Sequence, residues 1–179
     1  AKIELSFALS ERASMFYKKE MYDSAAVWYL KGIEVLENEK RYDRAAGLYS
    51  NLSAVYEILK LKDKQKEYIL KGLEAARTSG KPYDLFGGYS MVSQYYSGND
   101  DYKTALLYSD SSQLYFTNEM DNARIQLYYL VRAQAFNGVE KFDSAVYYYN
   151  KTYELTKEAN DTWGMTEPLL RMGSGYMKL

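Results

Sequence analysis

A 40-residue internal repeat constrains this chain more than any other feature of its sequence. The stretches Tyr22-Asp23-Ser24-Ala25 and Phe142-Asp143-Ser144-Ala145 are nearly identical and lie three units of 40 residues apart. Three further columns at the same spacing keep their chemical character through five successive units. They are bulky at Leu9, Tyr49, Tyr89, Tyr129 and Leu169; small at Ala13, Ser53, Ser93, Ala133 and Gly173; and aromatic at Phe16, Tyr56, Tyr96, Phe136 and Tyr176. The chain is therefore predicted to be an array of similar units.

The spacing within each unit predicts two helices joined by a short turn. The bulky, small and aromatic columns are separated by four and then three residues, which places them on one face of a helix. A small residue in the middle of that face lets a neighbouring helix approach closely. Turns are predicted at residues 18–20, 60–61, 98–100 and 138–140, each followed by a second helix. Proline occurs only at positions 82 and 168, which is typical of long helices.

The composition excludes several classes of function. The 23 basic and 24 acidic residues nearly cancel, so the chain lacks the basic field that nucleic acid binding requires. Histidine and cysteine are both absent, which removes the usual general base and the commonest metal ligands. No apolar run approaches the roughly 20 residues of a membrane span. We therefore expect no enzyme activity, catalytic residue, metal site or cofactor, and no membrane insertion by this segment.

The repeat pattern resembles the tetratricopeptide repeat. The resemblance rests on the bulky, small and aromatic columns and on second helices such as Tyr22–Ala25 followed by Tyr29 and Ile33. It implies an all-α, right-handed superhelical solenoid of antiparallel helix hairpins. One array is expected over residues 1–179, with units at about 6–39, 46–79, 86–119 and 126–159 and a partial fifth first helix to 179. The usual unit has about 34 residues, so each unit here carries about six more, which we expect to lengthen the helices. A HEAT-like array is the alternative for a 40-residue period.

Some positions depart from the family pattern. Arginine replaces the expected leucine before the small column at Arg12 and Arg132, and Gln65 replaces a close-packing alanine. The second helix of the third unit is unusually polar, at Ser109, Ser112 and Gln113. These residues have two interpretations: tight packing with arginine stems laid over the core edge, or a polar pocket or soft hinge at residues 105–117. The 21 tyrosines are interpreted as amphipathic core residues rather than as a stacking surface for a ligand.

In the resembled family, the first helices line a concave groove that binds partners. The matching positions here, which we call the first-helix groove, are mostly small, polar and uncharged. They suit an extended peptide or a polar ligand, although a solvated inner wall has the same composition. A clamp for a C-terminal carboxylate is not expected, because its positions hold serine and alanine. The groove residues are Ser10, Ser14, Tyr17, Ser50, Asn51, Ala54, Glu57, Ser90, Gln94, Ser97, Leu130, Gln134 and Asn137.

Long, tyrosine-rich units resemble arrays that precede a membrane helix and an output domain in bacterial regulators. The resemblance implies a protein- or peptide-binding sensor or regulatory domain, and it favours the periplasm over the cytoplasm. The chain is expected to be a fragment of a longer protein, because its pattern continues to Leu179. A stand-alone adaptor in a protein complex is the alternative, and a helical enzyme is a remote one.

Overall fold

The computed structural model describes residues 2–117, 120–158 and 168–172, and all regular secondary structure in these ranges is α-helical. Residues 168–172 are helical and fall within the expected fifth first helix, most of which lies outside the described residues. Between residues 2 and 158 the described helices are α1 (Lys2–Lys18), α2 (Tyr22–Asn38), α3 (Tyr42–Ile58), α4 (Lys62–Ser79), α5 (Pro82–Gly98), α6 (Tyr102–Gln113), α7 (Asn122–Gly138) and α8 (Phe142–Glu158).

The helices begin every 20 residues, so one 40-residue unit is two half-units of equal length. Seven of the eight helices have 17 or 18 residues. The turns fall where the sequence predicts them, and the extra residues of a unit lengthen its helices everywhere except at α6. For example, α3 begins at residue 42, four positions before the predicted start of its unit.

Five of the turns between helices share one backbone conformation. Glu20, Lys40, Lys60, Asp100 and Glu140 all have left-handed φ angles of 53° to 62°. At Lys60 the amide donates to the Glu57 carbonyl at 3.0 Å, and the next amide, of Leu61, donates to the Tyr56 carbonyl at 2.9 Å. This pair of hydrogen bonds is the Schellman motif, which satisfies the last carbonyls of a helix. The same pair of bonds recurs at the other four turns.

The repeat columns form the core, as predicted. Ala13 and Ala133 of the small column are fully buried, and Ser53 and Ser93 are nearly so. The alanine column of the second helices is buried at Ala25, Ala105 and Ala145, and Gln65 is buried at the equivalent position of α4. Many tyrosines pack as rings against rings, as at Tyr56 and Tyr68, whose centroids are 5.3 Å apart. At these positions the tyrosines serve to fill the core.

Tertiary contacts divide the chain into two compact units, Ala1–Met91 and Val92–Leu179. In the first unit, α2 packs on both α1 and α3, and α3 packs on α4. In the second unit, α7 packs on both α6 and α8. Consecutive helices joined by short turns are antiparallel neighbours in each unit. None of the described helices is both long and apolar enough to cross a membrane.

α6 differs from the other helices in length. It ends at Gln113 after 12 residues. The Leu114 side chain that follows is 81% exposed. The sequence analysis singled out this helix as unusually polar but did not predict its early end.

Candidate partner-binding surfaces

In the first unit, the first-helix groove residues on α1, α3 and α5 are all at least partly accessible. Tyr17, Asn51 and Glu57 are exposed, and the others are half-buried. The Ser14 hydroxyl donates to the carbonyl of Ser10 at 3.0 Å, and its oxygen lies 3.1 Å from the hydroxyl of Tyr29. The partly or fully exposed groove positions of this unit are Ser10, Ser14, Tyr17, Ser50, Asn51, Ala54, Glu57 and Ser90.

A cleft of about 200 Å³ lies between α1 and α3, with one residue of α2 at its base. Ser10 is the groove residue that lines it, and Phe7 stands beside it with 61% of its surface exposed. The sequence analysis missed Phe7 and Arg44. A signal for Phe7 was present, because the residue 40 positions later is Gly47, so no core slot requires a ring there. A ring and a cation beside a serine hydroxyl make this cleft suited to a short peptide segment. The lining residues are Ile3, Ser6, Phe7, Ser10, Leu36, Arg44 and Leu48.

In the second unit, Gln94 is exposed, and Leu130, Gln134 and Asn137 are half-buried. Ser97 differs from the other groove residues because only 7% of its surface is exposed.

Arg132 is a buried side chain at the centre of a polar cluster that α6, α7 and α8 form. Its guanidinium donates to the Ser109 hydroxyl at 2.9 Å and pairs with the Asp110 carboxylate at 2.7 Å. It also lies over the rings of Phe136 and Tyr148, at 5.2 and 5.1 Å from their centroids. We call Ser109, Asp110, Arg132, Phe136 and Tyr148 the Arg132 cluster.

The Arg132 cluster explains how a charge is tolerated at a position where the second and third units hold Leu52 and Val92. Burial alone opposes the charged guanidinium, but Tyr128, Asp110 and Tyr148 together raise the pKa of Arg132 above its ordinary value. Burial also raises the pKa of Tyr128 to about 12. Ser109 and Asp110 of α6 therefore accommodate a buried cation, and Arg132 lies in the core, as the packing interpretation predicted for this residue.

A second cleft, of about 370 Å³, lies where the α5–α6 turn meets the α7–α8 turn, and Asp100, Asp101 and Glu140 are among its lining residues. Within the described part of the chain, no group of three or more carboxylates is placed to hold a metal ion.

Comparison with known proteins establishes the fold. No protein-family model and no curated protein matches the sequence. The structure is similar to BtubC (BKLC) from P. vanneervenii, with 16% identity and a TM-score of 0.73 over 90% of this chain and 66% of that one. It is also similar to a signal transduction ATPase with numerous domains from Pyrococcus horikoshii. That protein has a tetratricopeptide repeat sensor.

This second match has 16% identity and a TM-score of 0.77, and it covers 97% of this chain but only 26% of the ATPase. The chain has the fold of a helical-repeat solenoid. The predicted fold class is thus confirmed. At 16% identity the similarity shows the fold and nothing about function.

Proposed function

We propose that this chain is a tetratricopeptide-type interaction domain that binds a protein or peptide partner through the first-helix groove. We further propose that it is the sensor or regulatory part of a larger bacterial signalling protein. The observation that carries the proposal is the chemistry of the groove positions: all except Ser97 are accessible, and among them only Glu57 is charged. Neutral hydrogen-bonding side chains suit an extended backbone, which offers an amide and a carbonyl at each residue.

Two further observations support the proposal. The cleft between α1 and α3 places the exposed Phe7 ring beside Ser10, which gives one apolar contact next to a hydrogen-bonding group. Aromatic anchors of this kind carry much of the energy in protein interfaces. In addition, one structure of similar fold contains a repeat sensor within a signalling ATPase, which is the kind of role proposed here.

The test requires a peptide that binds, so a random peptide library is panned against the protein and the best binder is labelled. Its affinity is then measured for the wild type and for Gln94→Glu and Gln134→Glu by fluorescence anisotropy. A carboxylate cannot donate to a peptide carbonyl, so we expect each change to weaken binding about fivefold to thirtyfold.

Gln113→Glu is the matched control, because it makes the same chemical change on the exposed surface of α6. It is expected to change the affinity by less than about twofold. Equal affinities for the wild type and both groove variants would exclude α5 and α7 as the binding surface. The regulatory role has its own test: the full-length gene should encode a membrane helix or an output domain, and a short chain would favour an adaptor.

A further inference from the structure

One face of α1 carries a helix-packing pattern that no described helix covers. Five residues spaced three and four positions apart form a single stripe along α1, which is the spacing of a helix–helix seam. Its apolar members Leu5 and Met15 are 50% and 59% exposed. A surface depression of about 520 Å³ runs along it, lined by Ala8, Glu11, Arg12, Met15, Phe16 and Lys19. We call Leu5, Ala8, Arg12, Met15 and Lys19 the α1 outer stripe.

The repeat shows what the positions equivalent to the α1 outer stripe do on another helix. Forty residues later, the same positions on α3 are Ala45, Leu48, Leu52, Val55 and Leu59. Three of these, Ala45, Leu52 and Val55, are fully buried, and the other two are half-buried. A Cβ added at Gly32 of α2 would lie only 3.1 Å from Leu48 Cδ1, so this seam faces the preceding second helix at close range. α1 therefore presents the same seam in the same register.

The positive charge of Arg12 at the centre of the stripe indicates which charge a helix packed on the stripe should carry. Arg12 occupies the position of Arg132, and Arg132 pairs with Asp110 of the preceding helix at 2.7 Å. The residue 22 positions before the centre is Leu30 for Leu52 and Leu70 for Val92, whereas it is Asn150 for Met172 and Asp110 for Arg132. The apolar centres thus follow an uncharged residue, and the arginine centre follows an aspartate.

The surroundings of Arg12 add to the demand for a negative charge. Its guanidinium lies 4.0 Å from the centre of the Trp28 ring, and the Lys31 ammonium lies 4.4 Å from the same centre. Two cations on one ring repel each other, so a carboxylate placed beside them is favoured. Lys19 lies on the same depression, and Glu11 is the one carboxylate among its lining residues, so the cations of this surface outnumber it.

We propose that the α1 outer stripe docks an amphipathic α-helix of a partner protein, and that this helix places an aspartate or glutamate against Arg12. The helix lies on α1 as α2 lies on α3, with apolar side chains on Leu5, Ala8 and Met15. This surface is separate from the first-helix groove, and the proposal stands whether or not the groove binds a peptide.

The chain supplies its own probe for the test. A labelled peptide of residues 22–38 reproduces α2, which covers the equivalent seam of α3, and a second peptide carries Leu30→Asp. We expect the Leu30→Asp peptide to bind the wild-type protein at least about tenfold more tightly than the unchanged peptide. Arg12→Leu should reverse this preference, and Met15→Glu should abolish binding of both peptides.

Leu107→Glu is the control, because it adds a carboxylate to another exposed apolar position, on α6, and should leave both affinities unchanged. Circular dichroism checks that each variant stays helical. The proposal is overturned if the two peptides bind equally, if Arg12→Leu does not reverse their order, or if neither peptide binds at millimolar concentration.

Two measurements distinguish a partner protein from the two other possible occupants of the α1 outer stripe, a second copy of this chain and a segment of the same chain. Self-association in sedimentation analysis that Met15→Glu abolishes would assign the stripe to a second copy of this chain and overturn the proposal. Slow peroxide oxidation of Met15 in the isolated full-length protein would assign it to a segment of the same chain, with the same consequence. Fast oxidation there, slowed by the Leu30→Asp peptide, supports the proposal. Gln94→Glu and Gln134→Glu should not affect this binding, so failure at either surface is distinguishable.

Discussion

Gly98 and Gly138 occupy the same position of the repeat, at the ends of α5 and α7, yet their surroundings differ. A Cβ added at Gly98 would meet nothing within 4 Å, whereas one at Gly138 would collide with the ring of Tyr102. That ring is also held by its hydroxyl, which donates to the Asp100 carboxylate at 2.5 Å. The side chain packed against the glycine, rather than the glycine's position in the helix, therefore determines whether a larger residue fits there.

We predict opposite effects for the same substitution at the two glycines. Gly98→Ala should stabilise the fold by about 0.5 kcal/mol, because alanine loses less backbone entropy than glycine on entering a helix. Gly138→Ala should destabilise it by about 1–2 kcal/mol, because the Tyr102 ring must move. Urea unfolding of each variant measures both free energies. A stabilising Gly138→Ala would show that the ring moves freely.

Tyr102→Ala provides the internal control for this pair. In its background the Cβ at position 138 meets no ring, so Gly138→Ala should lose most of its cost. The coupling energy from the double-mutant cycle should then be about 1 kcal/mol or more.

At the scale of elements, one carboxylate ties the beginning of α3 to the beginning of α5 within the first unit. Asp43 accepts two hydrogen bonds of 3.1 Å from Arg41, and its second oxygen also lies 2.9 Å from the Lys81 ammonium. These hydrogen bonds, first from Arg41 and then from Lys81, hold the pKa of Asp43 well below its ordinary value. Asp43 also lies in the first turn of α3, where a negative charge is favoured.

Asp43→Asn is predicted to destabilise the first unit by about 1 kcal/mol at pH 7, a modest value because both cations are partly exposed. The folded pKa is lowered, so the carboxylate stabilises the fold above about pH 4, its ordinary pKa, and this contribution is lost as the pH falls below that. Unfolding curves of both proteins between pH 2 and 7 should therefore converge at the acid end.

Asp63→Asn is the matched control for the charge at a helix start. Asp63 occupies the same place in the first turn of α4 but is exposed. Its loss should cost less than about 0.5 kcal/mol and should respond weakly to salt. If Asp63→Asn costs as much as Asp43→Asn, the ion pairs of Asp43 contribute little.

At the scale of the whole molecule, the absence of histidine and cysteine leaves no side chain with an ordinary pKa between about 5 and 8. The resolved shifts among the described residues move pKa values away from this range. Asp43 and Glu4 are lowered, and Lys2, Lys71 and the buried tyrosines are raised.

We therefore predict that the free energy of unfolding is constant within about 0.5 kcal/mol from pH 6 to 9. Above pH 10 it should fall, because burial raises the folded pKa of Tyr49, and of Tyr128 to about 12, whereas the unfolded tyrosines ionise near pH 10. Thermal unfolding across pH 5 to 12 checks both parts. A transition centred near pH 7 would contradict the prediction.

The sequence by itself determined the period, the helices, the turns and the buried columns. These features are predictable because helix periodicity is a local property, and the repeat states each local signal several times. The chemistry of the first-helix groove was predictable in the same way. The cleft between α1 and α3 that Phe7 lines was not, because it depends on how two helices of the first unit meet.

Only the tertiary structure decided how equivalent positions differ. Arg12 and Arg132 look alike in the sequence, but α6 buries Arg132 against Asp110, whereas Arg12 remains exposed on a seam that no described helix covers. Gly98 and Gly138 differ for the same reason. A repeat determines which side chain stands at each helix position. The neighbouring helix determines whether that side chain lies in the core or on the surface, because burial depends on what packs against it.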